Sequence, residues 1–208
     1  MDGIITDTEP VHAECFTRAF RETGVEATVE DYRRAVTIGE LSVRDFYKSI
    51  GGKVSDFDRV KSIKDGLLIE ALKNDGKLIP GVIELLRSLR EAGVTTAIAT
   101  SARRTSLSII LDRFDLWSYF DAFVTKDEVE AEKPDPALFV LAAKKLGVDP
   151  SECVVIEDSP KGVIGASRAG MKVIAVPNAS TTDGDFSRAT MVVSSLKDVT
   201  LDVIHSLV

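Results

Sequence analysis

The chain has 208 residues, with 33 acidic side chains against 26 basic ones and a formal net charge of −7. This leaves no broad positive field to hold a nucleic-acid backbone, so an anionic small-molecule ligand would need a local basic site. The length suits one sizeable core with a modest insertion and argues against two full-sized domains. No run of 18 apolar residues occurs, so no helix is expected to cross a membrane, and Cys15 and Cys153 lie far apart without metal-ligand spacing, which favours reduced thiols in a cytosolic compartment.

The opening MDGIITDTEP has no strand in front of it, and the first fifteen residues carry four acids and no Lys or Arg, the reverse of a secretory or organellar leader. A leader ahead of Met1 would not be visible in this sequence. Residues 11 to 78 show helical periodicity without a convincing strand and are broken at Gly24, Gly39, Gly51-Gly52 and Gly76, which predicts four helices. Pro80-Gly81 then starts a different pattern. Val82, Leu85, Leu86 and Leu89 form an apolar stripe over a helix at 81 to 92, closed by Gly93.

Short β-rich runs follow at 95–101 (TTAIATS), 120–125 (FDAFVT), 153–159 (CVVIEDS), 172–176 (KVIAV) and 190–195 (TMVVSS). Most are near-continuously apolar, as strands covered on both faces should be. Between the second and third, Phe139, Ala142, Ala143 and Leu146 repeat at helical spacing, ended by Gly147. Alternation of this kind predicts an α/β fold, an open parallel Rossmann-like sheet with helices on both faces, whose ligands bind beyond the carboxyl ends of the strands. The expected division is a core of residues 1–10 and 79–208 and an inserted helical domain of 11–78.

Four stations follow the strand ends: Asp2-Gly3 with Thr6-Asp7-Thr8, then Thr100-Ser101, Lys133-Pro134-Asp135-Pro136, and Glu157-Asp158-Ser159. Together they supply hard oxygen donors for Mg²⁺, a hydroxyl and N–H groups for phosphate oxygens, and one cation. In order and spacing these stations resemble the haloacid dehalogenase superfamily of phosphohydrolases across essentially the whole chain. GIITDTEPVH, EKPDP and VVIEDSPKGV resemble its β-phosphoglucomutase-like branch, and residues 11–78 resemble that branch's small α-helical cap.

The resemblance implies a phosphatase of small phosphorylated metabolites, sugar phosphates in particular, acting through an aspartyl-phosphate with Mg²⁺ as cofactor. The family's first station is Asp-x-Asp-Gly, of which this chain supplies x-Asp-Gly. The nucleophile therefore falls one residue ahead of Met1, and the first core strand is absent from this chain. In the family that strand lies in the middle of the sheet, so its neighbours are expected to be left with unpaired backbone groups. A sequence starting late, at a Met between two aspartates, is the expected explanation, with an inactive or re-paired short form as the rival.

The resemblance further implies Asp2 as general acid/base and, through its carbonyl, a metal ligand. It implies Asp158 and Glu157 as metal carboxylates, or Glu157 as a water-holder. Thr100, Ser101 and Lys133 would hold phosphate, and Thr8 and His12 would stand at the cap hinge near substrate or the general acid. The stretch Ile38-Gly39-Glu40-Leu41-Ser42-Val43-Arg44 resembles the segment that reads the sugar, so Arg44 is a candidate for a distal anion. Ile38 stands where mutases of the branch carry lysine, which favours phosphatase over the alternative, a phosphosugar mutase. A catalytically inactive binder of phosphate esters or of protein partners is the third reading. Each role has a structural competitor: helix capping for Thr100 and Ser159, a partly buried helix position for His12, a solvated surface position for Lys133 and Arg44. A monomer or weak dimer is expected, with no nucleic-acid or membrane partner.

Overall fold

The structure, a computed structural model, describes every residue except Glu40 and Asp75. The helical segment holds α1 (Glu9–Arg21), α2 (Val29–Tyr32), a π-helical turn (Arg33–Thr37), α3 (Val43–Ser49) and α4 (Phe57–Asn74). The remaining elements are α5 (Val82–Glu91), β1 (Ala97–Thr100), α6 (Arg104–Phe114), β2 (Ala122–Thr125), α7 (Ala137–Leu146), β3 (Val154–Glu157), α8 (Pro160–Arg168), β4 (Lys172–Ala175), β5 (Met191–Val192) and α9 (Leu201–His205).

Local chemistry explains many of these boundaries. Thr28 caps α2 through a reciprocal box with Asp31, and Ser42 caps α3 by accepting from Asp45 N–H. Ser159 caps α8 by accepting from Gly162 N–H, with Pro160 at the first helical position, where its missing N–H costs nothing. The apolar stripe of α5 is buried as its spacing requires, through Val82, Leu85, Leu86 and Leu89. Each such side chain contributes about 1.5 to 3 kcal/mol by leaving water.

All strand pairings between named strands are parallel, but the five strands divide between two sheets, β1–β2 and β3–β4–β5. Ala97 pairs with Ala122 in the first, and Val154 with Lys172 in the second. Among the described residues, β1 has no strand partner on its side away from β2, and β3 has none on its side away from β4. The apolar residues Val154, Val155 and Ile156 are consequently only half-buried, although their sequence reads as a covered strand.

The largest apolar cluster joins Ile5, α5, α6 and residues of β1 and β4 with Cys15, Leu68 and Leu72 from the helical segment. The helical segment also has its own cluster, built on Phe20, Tyr32, Phe46, Tyr47 and Val60. There the Phe20 and Tyr47 rings lie 5.0 Å apart, and Phe16 stacks on Tyr32 at 5.5 Å. Aromatic packing of this kind gives a short, loop-rich helical unit a defined interior.

Candidate active site

Asp2 stands in a tight opening turn, in which Gly3 N–H donates to the Thr6 carbonyl at 2.8 Å and Ile5 N–H to the Met1 carbonyl at 2.8 Å. Gly3 has φ +71, and a methyl group at its Cα would lie 1.8 Å from Asp158 Oδ2. Only glycine lets the backbone meet that carboxylate so closely, and only glycine adopts this φ without strain. The end of β3 is thereby placed against the turn that carries Asp2.

Three side chains converge on the Asp2 carboxylate. Thr8, fully buried, donates its hydroxyl to Oδ1 at 2.5 Å. His12 Nε2, on the first turns of α1, lies 3.7 Å from the same oxygen, and Thr100 Oγ1, at the end of β1, lies 3.5 Å from Oδ2. Burial alone would raise the pKa of Asp2, but the nearby His12 ring, the Met1 ammonium and the Thr8 hydrogen bond outweigh it, and the group is held well below the usual carboxylate range. Thr100 Oγ1 also accepts from Ala102 N–H at 3.1 Å, so the hydroxyl both organises the turn before α6 and faces Asp2.

At the end of β3 the two adjacent carboxylates have different partners. Glu157 Oε2 accepts from Lys133 Nζ at 2.9 Å, while Oε1 accepts from the Ser159 hydroxyl at 2.7 Å and from Ser159 N–H at 3.2 Å. Gly162 is needed beneath it, since a methyl group there would stand 2.1 Å from the Glu157 carboxyl carbon. Burial raises the pKa of Glu157, but the Lys133 charge, the Met1 ammonium and the Ser159 bond overcome that effect and hold it well below its ordinary value. Asp158 Oδ2 accepts from Asn178 Nδ2 at 2.9 Å.

The stations expected from the sequence thus meet through a connected set of contacts: Thr100, Thr8 and His12 on Asp2, Gly3 against Asp158, and Lys133 on Glu157. Both oxygens of Glu157 accept hydrogen bonds from protein donors. Ser101 is exposed on the turn after β1. Arg44 is exposed on α3, where its charge acts on Asp58, and is not part of the cluster. Glu40, in the same stretch, lies outside the described residues.

Three contributors were not anticipated. Asn178 fixes Asp158, and its position just beyond the end of β4, at the same edge as the other stations, was the available signal. Lys161 Nζ donates to the carbonyls of Val36 at 3.2 Å and Leu41 at 3.4 Å, and Arg33 pairs with Asp183. These last two tie the helical segment to the α/β part, and no periodicity marks such long-range pairs.

The donor set is entirely oxygen at Asp2 and Asp158, which suits a hard divalent cation. Among the described residues no group of three or more His, Cys, Asp and Glu side chains is gathered to cage an ion. Mg²⁺ does not require such a cage, because it keeps waters and substrate phosphate in its shell beside one or two carboxylates. The residues present therefore fit such an ion.

Comparisons with known proteins bear on the family and the fold. The chain is 34% identical over 188 residues to the phosphorylated carbohydrates phosphatase of Thermotoga maritima, covering 88% of this chain and 85% of that protein. It is 32% identical over 209 residues to hexitol phosphatase A of Escherichia coli K12, covering 97% and 91%. The fold superposes on CbbY from Rhodobacter sphaeroides in complex with phosphate at a TM-score of 0.84, with 24% identity and coverage of 99% and 96%. The pattern of the haloacid dehalogenase-like hydrolases matches residues 1–176, and the chain belongs to that family of phosphohydrolases.

Proposed function

We propose that the protein is a Mg²⁺-dependent phosphatase of small phosphorylated metabolites, sugar phosphates in particular, acting through an aspartyl-phosphate. The observation that carries this reading is the meeting of Asp2, Thr100, Asp158 and the Lys133–Glu157 pair, from separate loops, at one edge of the parallel strands. Asp158 and the Asp2 carbonyl would hold Mg²⁺, which supplies charge neutralisation to the transferring phosphoryl group when bound.

On this reading the attacking carboxylate is the first aspartate of the family's Asp-x-Asp-Gly station, of which this chain supplies x-Asp-Gly. Its oxygen forms the new bond to phosphorus as the ester oxygen leaves. As general acid/base, Asp2 delivers a proton to that leaving oxygen and then draws one from the water that attacks the aspartyl-phosphate, with His12 aligning its carboxylate. Thr100 holds a phosphate oxygen through its hydroxyl. Lys133, oriented by Glu157, supplies a fixed positive charge. Residues 11–78 act as the cap that closes over substrate, held by Arg33–Asp183 and by Lys161. Ile38 favours hydrolysis over phosphosugar exchange. The two unpaired cysteines agree with a reducing compartment, and a monomer or weak dimer is the expected state.

The test is phosphate release from a panel of sugar phosphates with Mg²⁺, by the 208-residue chain and by a form with an aspartate joined ahead of Met1 on an apolar strand. The reading expects turnover by the extended form. No release from any ester by either form would remove it, and isomer exchange stimulated by a bisphosphate without net release would replace it with the mutase reading.

A further inference from the structure

The cap and the Asp158 side of the site meet the same small piece of the core. After β4 the chain turns through residues 178–184, a loop folded on its own groups: Asn178 N–H donates to Thr181 Oγ1 at 3.0 Å, Ser180 N–H to Asn178 Oδ1 at 2.8 Å, and Gly184 N–H to the Thr181 carbonyl at 2.8 Å. Thr181, at its centre, is fully buried. Gly184 packs against the first turn of α8, where a methyl group at its Cα would stand 2.4 Å from Pro160 Cγ. Contact this close holds the loop and the start of α8 as one unit.

That unit carries contacts of two kinds. Toward the site, Asn178 Nδ2 donates to Asp158 Oδ2 at 2.9 Å, and the Ser159 hydroxyl donates to Glu157. Toward the cap, Asp183 pairs with Arg33, and Lys161 donates to the Val36 and Leu41 carbonyls.

The opposite end of the cap is fastened differently. Thr6 bridges to Leu78, Ile79 N–H donates to the Ile5 carbonyl at 2.9 Å, and Arg113 of α6 donates to the carbonyls of Leu72 and Asn74 at the end of α4. Main-chain pairing there makes a pivot. At the Asp183 end the contacts are made by side chains, and Asp183 is 61% exposed, so this grip can break and re-form.

We infer that the 178–184 loop couples cap closure to Mg²⁺ binding. Gripping the cap through Arg33 orders the loop, the ordered loop fixes Asp158 through Asn178, and Asp158 then meets the ion with less reorganisation. Arg33 and Asp183 are thereby positioning residues for the metal, acting from the cap interface. Coupling of this kind is reciprocal: whatever factor closure adds to Mg²⁺ affinity, bound Mg²⁺ adds to the closed population. The inference deepens the proposed function and rests on it in one respect, that Asp158 is a ligand of Mg²⁺.

Asp183→Asn breaks the grip without stranding a charge, because Arg33 keeps Glu30 at 3.9 Å. Two quantities are read on the 208-residue chain. One is the affinity for Mg²⁺ alone, by titration calorimetry at fixed ionic strength, since salt weakens an exposed pair. The other is the cap-to-core distance between spin labels on cysteines introduced at the exposed Val54 and Val192, with Cys153 replaced by serine and Cys15 buried.

Asp183→Asn should broaden and lengthen that distance and lower Mg²⁺ affinity by about fivefold or more, and Asp183→Glu should restore both. Asn178→Ala, on the other side of the loop, should weaken Mg²⁺ binding and also broaden the distance. Mg²⁺ should narrow the distribution in the parent chain and do so less in Asp183→Asn.

An Asp183→Asn chain whose cap opens while its Mg²⁺ affinity is unchanged would overturn the inference, as would a parent chain that binds no Mg²⁺. Coupling in a protein that hydrolyses no phosphate ester keeps the inference and removes the phosphatase reading; hydrolysis with independent Mg²⁺ and cap equilibria does the reverse.

Discussion

Lys133 Nζ lies 2.9 Å from Glu157 Oε2, and both side chains are nearly buried, at 12% and 8% exposure. The pair joins the loop before α7 to the end of β3, so its geometry fixes one station of the site against another. Removing one partner strands the other charge in a poorly solvated place, which typically costs about 3 to 5 kcal/mol. Lys133→Met and Glu157→Gln should each lower the urea midpoint by a corresponding amount. The double variant should recover much of that loss because no lone charge remains, yet a catalytically competent extended form should stay inactive without the lysine. Recovery of activity with stability would place Lys133 outside the chemistry.

Gly3→Ala acts on the contact between the opening turn and Asp158. The new methyl group displaces the Asp158 carboxylate, and alanine at φ +71 adds strain of roughly 1 to 2 kcal/mol. Stability should fall by about that much, measured by denaturant titration. The requirement of the active extended form for Mg²⁺ should rise as well, since the displaced Asp158 carboxylate no longer stands against the turn that carries Asp2. A stable variant with unchanged Mg²⁺ dependence would mean that Asp158 does not meet the ion.

Asn178→Ala separates positioning from capacity for charge. Asn178 donates one hydrogen bond of 2.9 Å to Asp158, its Oδ1 accepts from Ser180 N–H at 2.8 Å and from the Thr181 hydroxyl at 3.3 Å, and none of these bonds reaches Asp2 or Lys133. Losing that bond should raise the Mg²⁺ concentration needed for half-maximal activity severalfold, by about 0.5 to 1.5 kcal/mol in binding, and leave activity at saturating Mg²⁺ near its starting value. A fall in the saturated rate alone would assign Asn178 a different part.

Much of this arrangement was legible in the residue order. The runs expected at 95–101, 120–125, 153–159 and 172–176 hold the strands 97–100, 122–125, 154–157 and 172–175 because each is short and apolar, and the stripe Val82–Leu89 marked its helix by period alone. What could not be read was partnership across the fold. The choice of Glu157 as partner for Lys133 depends on the rotamers of two side chains 24 positions apart. The ties of Lys161 to Val36 and Leu41 span more than a hundred positions. The short β5, only Met191–Val192, also falls well inside the run expected at 190–195, because Ser194 and Ser195 instead bond Asp198 and begin a turn.

Thr6→Val tests a cost built into the opening turn. Thr6 is fully buried, and its hydroxyl oxygen has no hydrogen-bond partner among the described residues. A buried hydroxyl without a partner forfeits its solvation, and replacing it by a methyl group of similar shape should be neutral or stabilising by about 1 kcal/mol. A loss of stability would instead show that the hydroxyl is satisfied in solution.

Lys64 gives a pH signature distinct from that of the site. Its side chain is 10% exposed on α4, over the Phe16 ring, with Asp65 Oδ1 at 3.4 Å. The charged groups around it are Asp65, itself paired with Arg103, then Lys126, and the Cys15 thiol. Burial is the largest influence and pushes the ammonium's pKa down; Lys126 adds to that, and Asp65 and Cys15 oppose it without cancelling it. With the folded value below the unfolded one, the unfolded chain binds more protons between the two, so this lysine makes stability rise with pH across that alkaline window and contributes no slope below it. Lys64→Met should remove the alkaline rise and, by relieving the cost of a buried charge, stabilise the protein near neutrality. Thermal melts of both proteins from neutral pH to about pH 10, the region where lysine ordinarily titrates, read the difference directly. Parallel curves would show that Lys64 keeps its charge at no cost, through Asp65 and the Phe16 face.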